Sequence, residues 1–229
     1  MAMLSIDTIV VPQGAEYQAV CRGLQQANAD IAAIAIPIGT KNVRQILASY
    51  TQQLSQAQTV LIMGLCGSLT PSYAVGDSVV IQSCWDLNHN YLNLESELIK
   101  IIQNKLSIDA VAGLTSDRMI ALTQEKLKLS QQYPVSIVDM EGYSYITQLQ
   151  RQGITVAMLR VVSDDLRGDV PCLSNAIDSA GNLKTVTTAI AFLKQPIAAL
   201  RLIQGSLTGL KALELTTAQL FTSEKLAVS

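Results

Sequence analysis

The sequence is short of the residues on which most enzyme chemistry relies. Among 229 residues there is one histidine, His89, which removes most histidine-based acid–base and nucleophile–base schemes. Any chemistry must lean on carboxylates. Cysteine is equally sparse: Cys21, Cys66, Cys84 and Cys172 stand far apart and form no CxxC pair. Neither a zinc site nor a disulfide framework is supported; the four read as buried small hydrophobes, no metal is expected, and a reducing cytoplasm is the expected compartment. Only 15% of residues are charged, the formal net charge is −2, and the 16 basic residues form no cluster, which argues against nucleic acid as a partner. No apolar run reaches the roughly 18 residues that a spanning helix needs. Asp7 interrupts the start of the chain and no apolar signal region follows. Gly39-Thr40-Lys41 lacks the upstream glycine of a Walker loop, so nucleoside triphosphate binding is not supported.

What the chain does have is apolar surface. Hydrophobic residues make up 49% and the mean hydropathy is +0.30, more than one core requires. A homo-oligomer interface is the simplest use for the excess. The length suits a single domain, 1–229. Apolar runs at Ile6–Val11, Ile31–Ile36, Thr59–Met63, Val79–Ile81, Ala110–Leu114, Pro134–Val138 and Thr155–Val162 read as strands. Between them, Glu16–Ala27, Lys41–Leu54, Leu92–Leu106 and Glu141–Gln152 carry helical periodicity. This alternation predicts an α/β protein, a three-layer α/β/α arrangement with a mixed, twisted central sheet. Residues 178–229 read as a helical C-terminal extension: Asn182–Leu193, Pro196–Gln204 and Leu207–Phe221, with breaks at Gly205 and Gly209.

Two carboxylates draw attention. Val138-Asp139-Met140-Glu141-Gly142 and Val161-Val162-Ser163-Asp164 each place an acid just past a buried strand. In open α/β sheets ligands bind beyond the carboxyl ends of the strands. The gap between Glu141 and Asp164 has room for one helix and one returning strand, so neighbouring strands are expected. Without further context Asp139 and Glu141 would read as helix caps, and Asp164-Asp165 as a solvated turn. Arg160 reads as a buried ion-pair partner, and His89 and Trp85 as part of a polar loop.

The segments around these acids resemble a known family. Met63-Gly64-Leu65-Cys66-Gly67-Ser68-Leu69 followed by Val75-Gly76-Asp77-Ser78-Val79-Val80 resembles the glycine turn and "GD" strand start of the purine nucleoside phosphorylase and methylthioadenosine/adenosylhomocysteine nucleosidase superfamily. Val138–Glu141 resembles its Met-Glu motif, Val162-Ser163-Asp164 its Ser-Asp motif, and Thr115–Ile120 the segment lining its base pocket. In the tail, Asp169-Val170-Pro171, Ser179–Leu183, Phe192–Pro196 and Leu200-Arg201-Leu202 resemble the hopanoid-associated phosphorylase branch. The resemblance implies cleavage of the N-glycosidic bond of an adenine-type nucleoside, including a hopanoid-linked one, by a homo-oligomer without metal or organic cofactor. It implies Asp164 as the acid that protonates the leaving base, and Glu141 as the carboxylate on the ribose hydroxyls. Met140 would pack on the sugar, Met119 and Ile120 on the base. Ser163, Gly64, Cys66 and Gly67 would complete the substrate pocket. An aspartate that donates a proton near neutral pH needs burial or a nearby negative charge, and Asp165 is the adjacent candidate.

The departures concern the acceptor. The superfamily's phosphorylases carry a Gly-Asp-Pro-x-Arg phosphate loop; here Val11-Pro12-Gln13-Gly14-Ala15-Glu16 stands in its place, without arginine. Its nucleosidases carry a water-activating glutamate near the first strand, for which Glu16 is the candidate, while Leu65 replaces a serine of their glycine turn. Phosphate, as a co-substrate held by Arg44 or Arg118, and water both stay open. So do two rivals: a nucleoside-binding protein of the same fold without catalysis, and a membrane-surface protein docking by Pro196–Phe221. That last stretch carries only Arg201 and Lys211 as basic residues, too few for a strongly basic anchor.

Overall fold

The computed structural model describes residues 5–37, 43–50, 54, 57–94, 96–171 and 192–222. Eight strands form one mixed sheet: β1 (Thr8–Pro12), β2 (Ala32–Ile36), β3 (Thr59–Ser68), β4 (Ser78–Asp86), β5 (Tyr91–Asn93), β6 (Asp109–Thr115), β7 (Ile137–Asp139) and β8 (Thr155–Asp164). The principal helices among the described residues are α1 (Ala15–Gln26), α2 (Val43–Ser49), α3 (Glu97–Leu106), α4 (Thr123–Gln132), α5 (Gly142–Gln150) and α6 (Pro196–Phe221). The mixed sheet with packed helices and a helical C-terminal region is the architecture that the alternating pattern predicts.

The pairing adds closure. β3 pairs with β8, β8 with β4, β4 with β6, β6 with β7, and β7 returns to β3. β1 and β2 extend the sheet from β3, and β5 adds to β4. The two longest strands, β3 and β8, run parallel at the centre of the core, with Val60–Met63 and Val156–Val162 buried. Such continuous burial is what parallel, two-sided strands require. Contrary to what their spacing suggested, the strands carrying Glu141 and Asp164 are not hydrogen-bonded to each other. Both flank β3: Val138 of β7 and Asp164 of β8 are each register partners of Gly67. The end of β3 therefore gathers the two acids.

Four local expectations change. The Gly64–Ser68 segment is not a turn; it continues β3, with Leu65 and Cys66 paired to Val161 and Val162 and a register shift before Gly67. Trp85 and Asp86 belong to β4 rather than to a loop, and Leu92 to β5. Asp86 closes that hairpin by accepting the backbone N–H groups of Asn88 and Asn90 at 2.9 Å, and α3 begins after Ser96, whose hydroxyl accepts from Ile99 N–H at 3.3 Å. α4 was not foreseen at all. Finally, α6 runs unbroken through Gly205 and Gly209. These glycines mark close approach to the sheet: a Cβ at Gly205 would stand 2.2 Å from the Ser163 carbonyl oxygen, and one at Gly209 3.1 Å from Leu65. The expected helix over 182–193 falls mostly outside the described residues, as do Gly39–Lys41 and Cys172.

Candidate active site

A cavity of about 440 Å³ opens at the end of β3. Glu16, Cys66, Gly67, Met119, Ile120, Met140, Glu141, Ser163 and Asp164 all line it, together with Leu65, Arg118 and residues of α6. Of the site residues expected from the sequence, only Gly64 is not at its surface. Gly64 lies behind the wall, where a Cβ would press on Arg160 Nη1 at 2.6 Å and Glu16 Oε2 at 2.7 Å.

Besides β3, which carries Leu65, Cys66 and Gly67, five segments deliver these side chains. β1 ends at Pro12, and Gly14 takes φ 87° to turn the chain into α1, a conformation that glycine adopts at little cost. The turn places Glu16 in the first turn of α1, where its Oε2 accepts the Leu65 N–H at 2.7 Å. Met119 and Ile120 follow β6, Met140 and Glu141 follow β7, and Ser163 and Asp164 close β8. Leu202, Ile203, Ser206 and Leu207 of α6 form the remaining wall.

One side of the cavity holds three acids around one cation. Arg160, fully buried in β8, donates its Nε to Asp139 Oδ2 at 3.0 Å, and its Nη2 donates to the same oxygen. Asp139 also accepts from the Thr115 hydroxyl at 2.6 Å and from the Gly142 N–H at 3.0 Å, so it both caps α5 and orients Arg160. Burial works against the guanidinium charge, but Asp139, then Glu141 and Glu16, outweigh it and hold Arg160 protonated. Its Nη1 has no hydrogen-bond partner. Burial pushes the Glu16 carboxyl above its ordinary value; the Leu65 N–H and Arg160 oppose that rise without cancelling it. Glu141 is buried, with 4% exposure.

On the other side a buried ion pair holds Asp164. Lys126 of α4 is 1% exposed, and its Nζ donates to Asp164 Oδ2. The same ammonium lies 3.3 Å from the carbonyl oxygens of Asp164 and Asp165. The Ser163 hydroxyl lies 3.3 Å from Asp164 Oδ1. Asp165, the neighbour expected to act on Asp164, instead accepts the Arg167 N–H at 2.9 Å and faces the Arg167 guanidinium at 3.5 Å. The group beside Asp164 is thus a cation from an element that the sequence reading left unassigned. One signal was available: the span from Ser116 to Tyr133 is longer than most loops, and Lys126, Leu129 and Tyr133 recur at helical spacing, all buried.

Of the arginines considered for phosphate, Arg118 lines the cavity and pairs with Glu125; the Arg44 side chain lies outside the described residues. Cys66 and Cys84 are buried, and burial raises both thiols. No group of three metal-ligating side chains occurs among the described residues, nor any helix long and apolar enough to cross a membrane.

A mixed sheet whose strand ends present carboxylates to an apolar-walled cavity defines a class of small-molecule site. Residues 19–194 match the phosphorylase superfamily, and the chain belongs to it. Solved structures share the fold. Arabidopsis thaliana 5′-methylthioadenosine nucleosidase in apo form superposes with a TM-score of 0.67 at 14% identity, over 95% of this chain and 94% of that one. Helicobacter pylori futalosine hydrolase gives 0.64 at 16%, over 93% and 97%. Helicobacter pylori 5′-methylthioadenosine/S-adenosylhomocysteine nucleosidase, with butyl-thio-DADMe-Immucillin-A, gives 0.62 at 17%, over 91% and 96%. Comparison with curated sequences finds no match.

Proposed function

We propose that this chain hydrolyses the N-glycosidic bond of an adenine-type purine nucleoside. The observation that carries this reading is the convergence of Asp164, Glu141 and Glu16 on one cavity from the ends of β8, β7 and β1. Breaking the bond leaves positive charge on the sugar and negative charge on the base. A buried carboxylate, Glu141, stabilises the first and holds the ribose hydroxyls. A proton delivered through Asp164 relieves the second. Met140 supplies an adaptable apolar surface to the sugar, and Met119 and Ile120 one to the base.

Water is favoured over phosphate as the acceptor by charge. The acceptor side presents Glu16 and Glu141, while Arg160, its buried cation among the described residues, gives Nε and Nη2 to Asp139. A phosphate dianion placed there would face carboxylates with little compensation, whereas water would meet a glutamate whose raised pKa makes it a stronger base. The chain also lacks the arginine-bearing phosphate loop. The α6 wall supports a substrate with an apolar 5′ group, in keeping with the tail's resemblance to the hopanoid-associated branch: Ile203 and Leu207 line the cavity and stay exposed, and Ile197 and Leu200 continue the stripe.

The rival is a nucleoside-binding protein without catalysis. One observation favours it: Asp164 is engaged by Lys126 rather than standing as a lone acid. Adenine release from adenosine, methylthioadenosine and an adenosyl-lipid, each with and without phosphate, separates the readings. Release independent of phosphate is expected, fastest with an apolar 5′ group. Phosphate-dependent release would overturn the choice of acceptor. Binding without release would favour the rival.

A further inference from the structure

Lys126 is a costly residue to bury. Removing an ammonium from water costs several kcal/mol, and Lys126 recovers this only from Asp164 and two carbonyl oxygens. The rest of α4 does not require it, since α4 buries Lys126 and Leu129 alone. The pair is also given space. Gly67, which lines the cavity, has no side chain where a Cβ would stand 3.0 Å from Asp164 Oδ2 and 3.4 Å from Lys126 Nζ. The ammonium therefore sits just behind the cavity wall, bonded to the carboxylate that the wall exposes. Other charges near it are committed elsewhere: Asp165 to Arg167, Asp169 to the Thr123 N–H, and Arg118 to Glu125.

We propose that Lys126 is the proton reservoir behind Asp164, a positioning residue that aims the carboxylate in the resting site and supplies the proton that leaves with the base. This rests on the reading of Asp164 as the group that protonates the base. The step balances as follows. An Nζ–H bond breaks and an Oδ2–H bond forms, giving a neutral amine and a neutral carboxyl group. The carboxyl group turns about its terminal torsion, which is broad and two-fold, and passes the proton to a base nitrogen. The electron pair of the glycosidic bond goes to the base, which departs neutral. Asp164 ends ionised again, and the amine regains a proton from water once the site opens.

The test compares Lys126→Met and Lys126→Arg with Asp164→Asn on two substrates. One is an adenine nucleoside, whose base needs a proton to leave. The other is p-nitrophenyl riboside, whose phenolate leaves without one. General acid catalysis contributes about 10²- to 10⁴-fold. Both Lys126 variants are expected to lose at least about 100-fold in kcat on the nucleoside, with KM within about threefold, and to keep p-nitrophenyl riboside turnover within about threefold. Arginine preserves the charge but does not release a proton, so Lys126→Arg separates supply from positioning. Rescue by arginine would overturn the proposal, as would equal losses on both substrates, which would make Lys126 a structural prop for the tip of β8. Undiminished nucleoside turnover in Lys126→Met would overturn it too. If Asp164→Asn keeps nucleoside turnover, the underlying reading of Asp164 fails, and the Lys126 proposal with it.

Discussion

The two sides of the cavity carry the same kinds of charged group in different proportions. On the base side one lysine meets one aspartate, and the pair is neutral. On the acceptor side Glu16, Asp139 and Glu141 surround one arginine, and burial pushes the Glu16 carboxyl up against the pull of the Leu65 N–H and Arg160. The difference is instructive because the two sides need opposite things. A leaving base needs a proton close by and ready to move, and a lysine–aspartate pair stores one. An attacking water needs a base stronger than a free carboxylate, and burying Glu16 makes one. What distinguishes the two sides is how each acid is held: Asp164 by a bonded cation, Glu16 by burial.

The sharpest way to break the comparison is to remove the arginine. Arg160→Met leaves Asp139 buried opposite no cation, with Glu141 and Glu16 nearby. Breaking a buried pair by removing one partner typically costs about 3–5 kcal/mol, and a loss of that size is expected in denaturant unfolding. Asp139→Asn in the Arg160→Met background should then recover part of the loss, because it neutralises the buried charge left unpaired. If Arg160→Met costs under about 1 kcal/mol, the acids are not held together by Arg160 and the contrast is wrong.

Next in size are the two acids themselves. Glu16→Gln should lower kcat by roughly 10²- to 10³-fold with little change in KM, because the amide still accepts the Leu65 N–H but takes no proton from water. It should also remove the acid limb of the pH–rate profile. In the native protein that limb is expected above the ordinary glutamate value of 4.5, since burial raises Glu16. Asp164→Asn should lose a similar factor on the nucleoside. A limb at or below 4.5, or one that survives Glu16→Gln, would assign the base to another group.

Much of this was legible before the structure, and the exceptions have physical causes. Strand ends carrying Glu141 and Asp164 could be read because continuous apolar runs mark buried strands. Their convergence through β3 could not, because closure of the sheet depends on pairings between residues far apart in the chain. Lys126 escaped because α4 is mostly polar: Thr123–Gln132 shows little apolar stripe, so its buried lysine looks like a surface one. Asp165 misled for the opposite reason. Adjacency in sequence places it next to Asp164, but successive side chains leave a strand end on opposite sides, and Arg167 claims it. Gly205 and Gly209 read as breaks because propensity registers the cost of glycine in a helix and not the strand that such a glycine admits.

That last point gives a smaller effect. Gly205→Ala would place a methyl group 2.2 Å from the Ser163 carbonyl oxygen, a clash with backbone that no rotamer relieves. Overpacking of this kind costs about 1–3 kcal/mol, and it should fall on the base side, displacing Ser163 and Asp164 from α6. Thermal unfolding and nucleoside turnover should both drop. The matching change at Gly23, where a Cβ would stand 2.5 Å from the Glu214 carbonyl oxygen, should lower stability by the same route while sparing kcat. Equal losses of kcat at both positions would mean that α6 acts on the site as a whole rather than through Ser163.

The smallest effect sets Glu16 against a carboxylate treated in the opposite way. Glu214 of α6 accepts from Lys211 Nζ at 2.8 Å, and from Arg22 Nε and Gln26 Nε2 of α1 at 2.7 Å each. These donors, Lys211 first, hold its carboxyl down at about 2. A depressed acid contributes stability that is full above its unfolded value, near 4.5, and fades as pH falls toward 2. A raised acid does the reverse: Glu16 favours the fold below 4.5 and withdraws that contribution as pH rises through its elevated pKa. Glu214→Gln should therefore differ from the native protein most at neutral pH, with the lower Tm, and the gap should close on acidification. Glu16→Gln should match the native protein at pH 4 and melt at a higher temperature at pH 8, as expected of a carboxylate kept for chemistry at some cost to the fold. If the two variants shift Tm with pH in the same direction, the acceptor side does not hold Glu16 under the strain that distinguishes it from the base side.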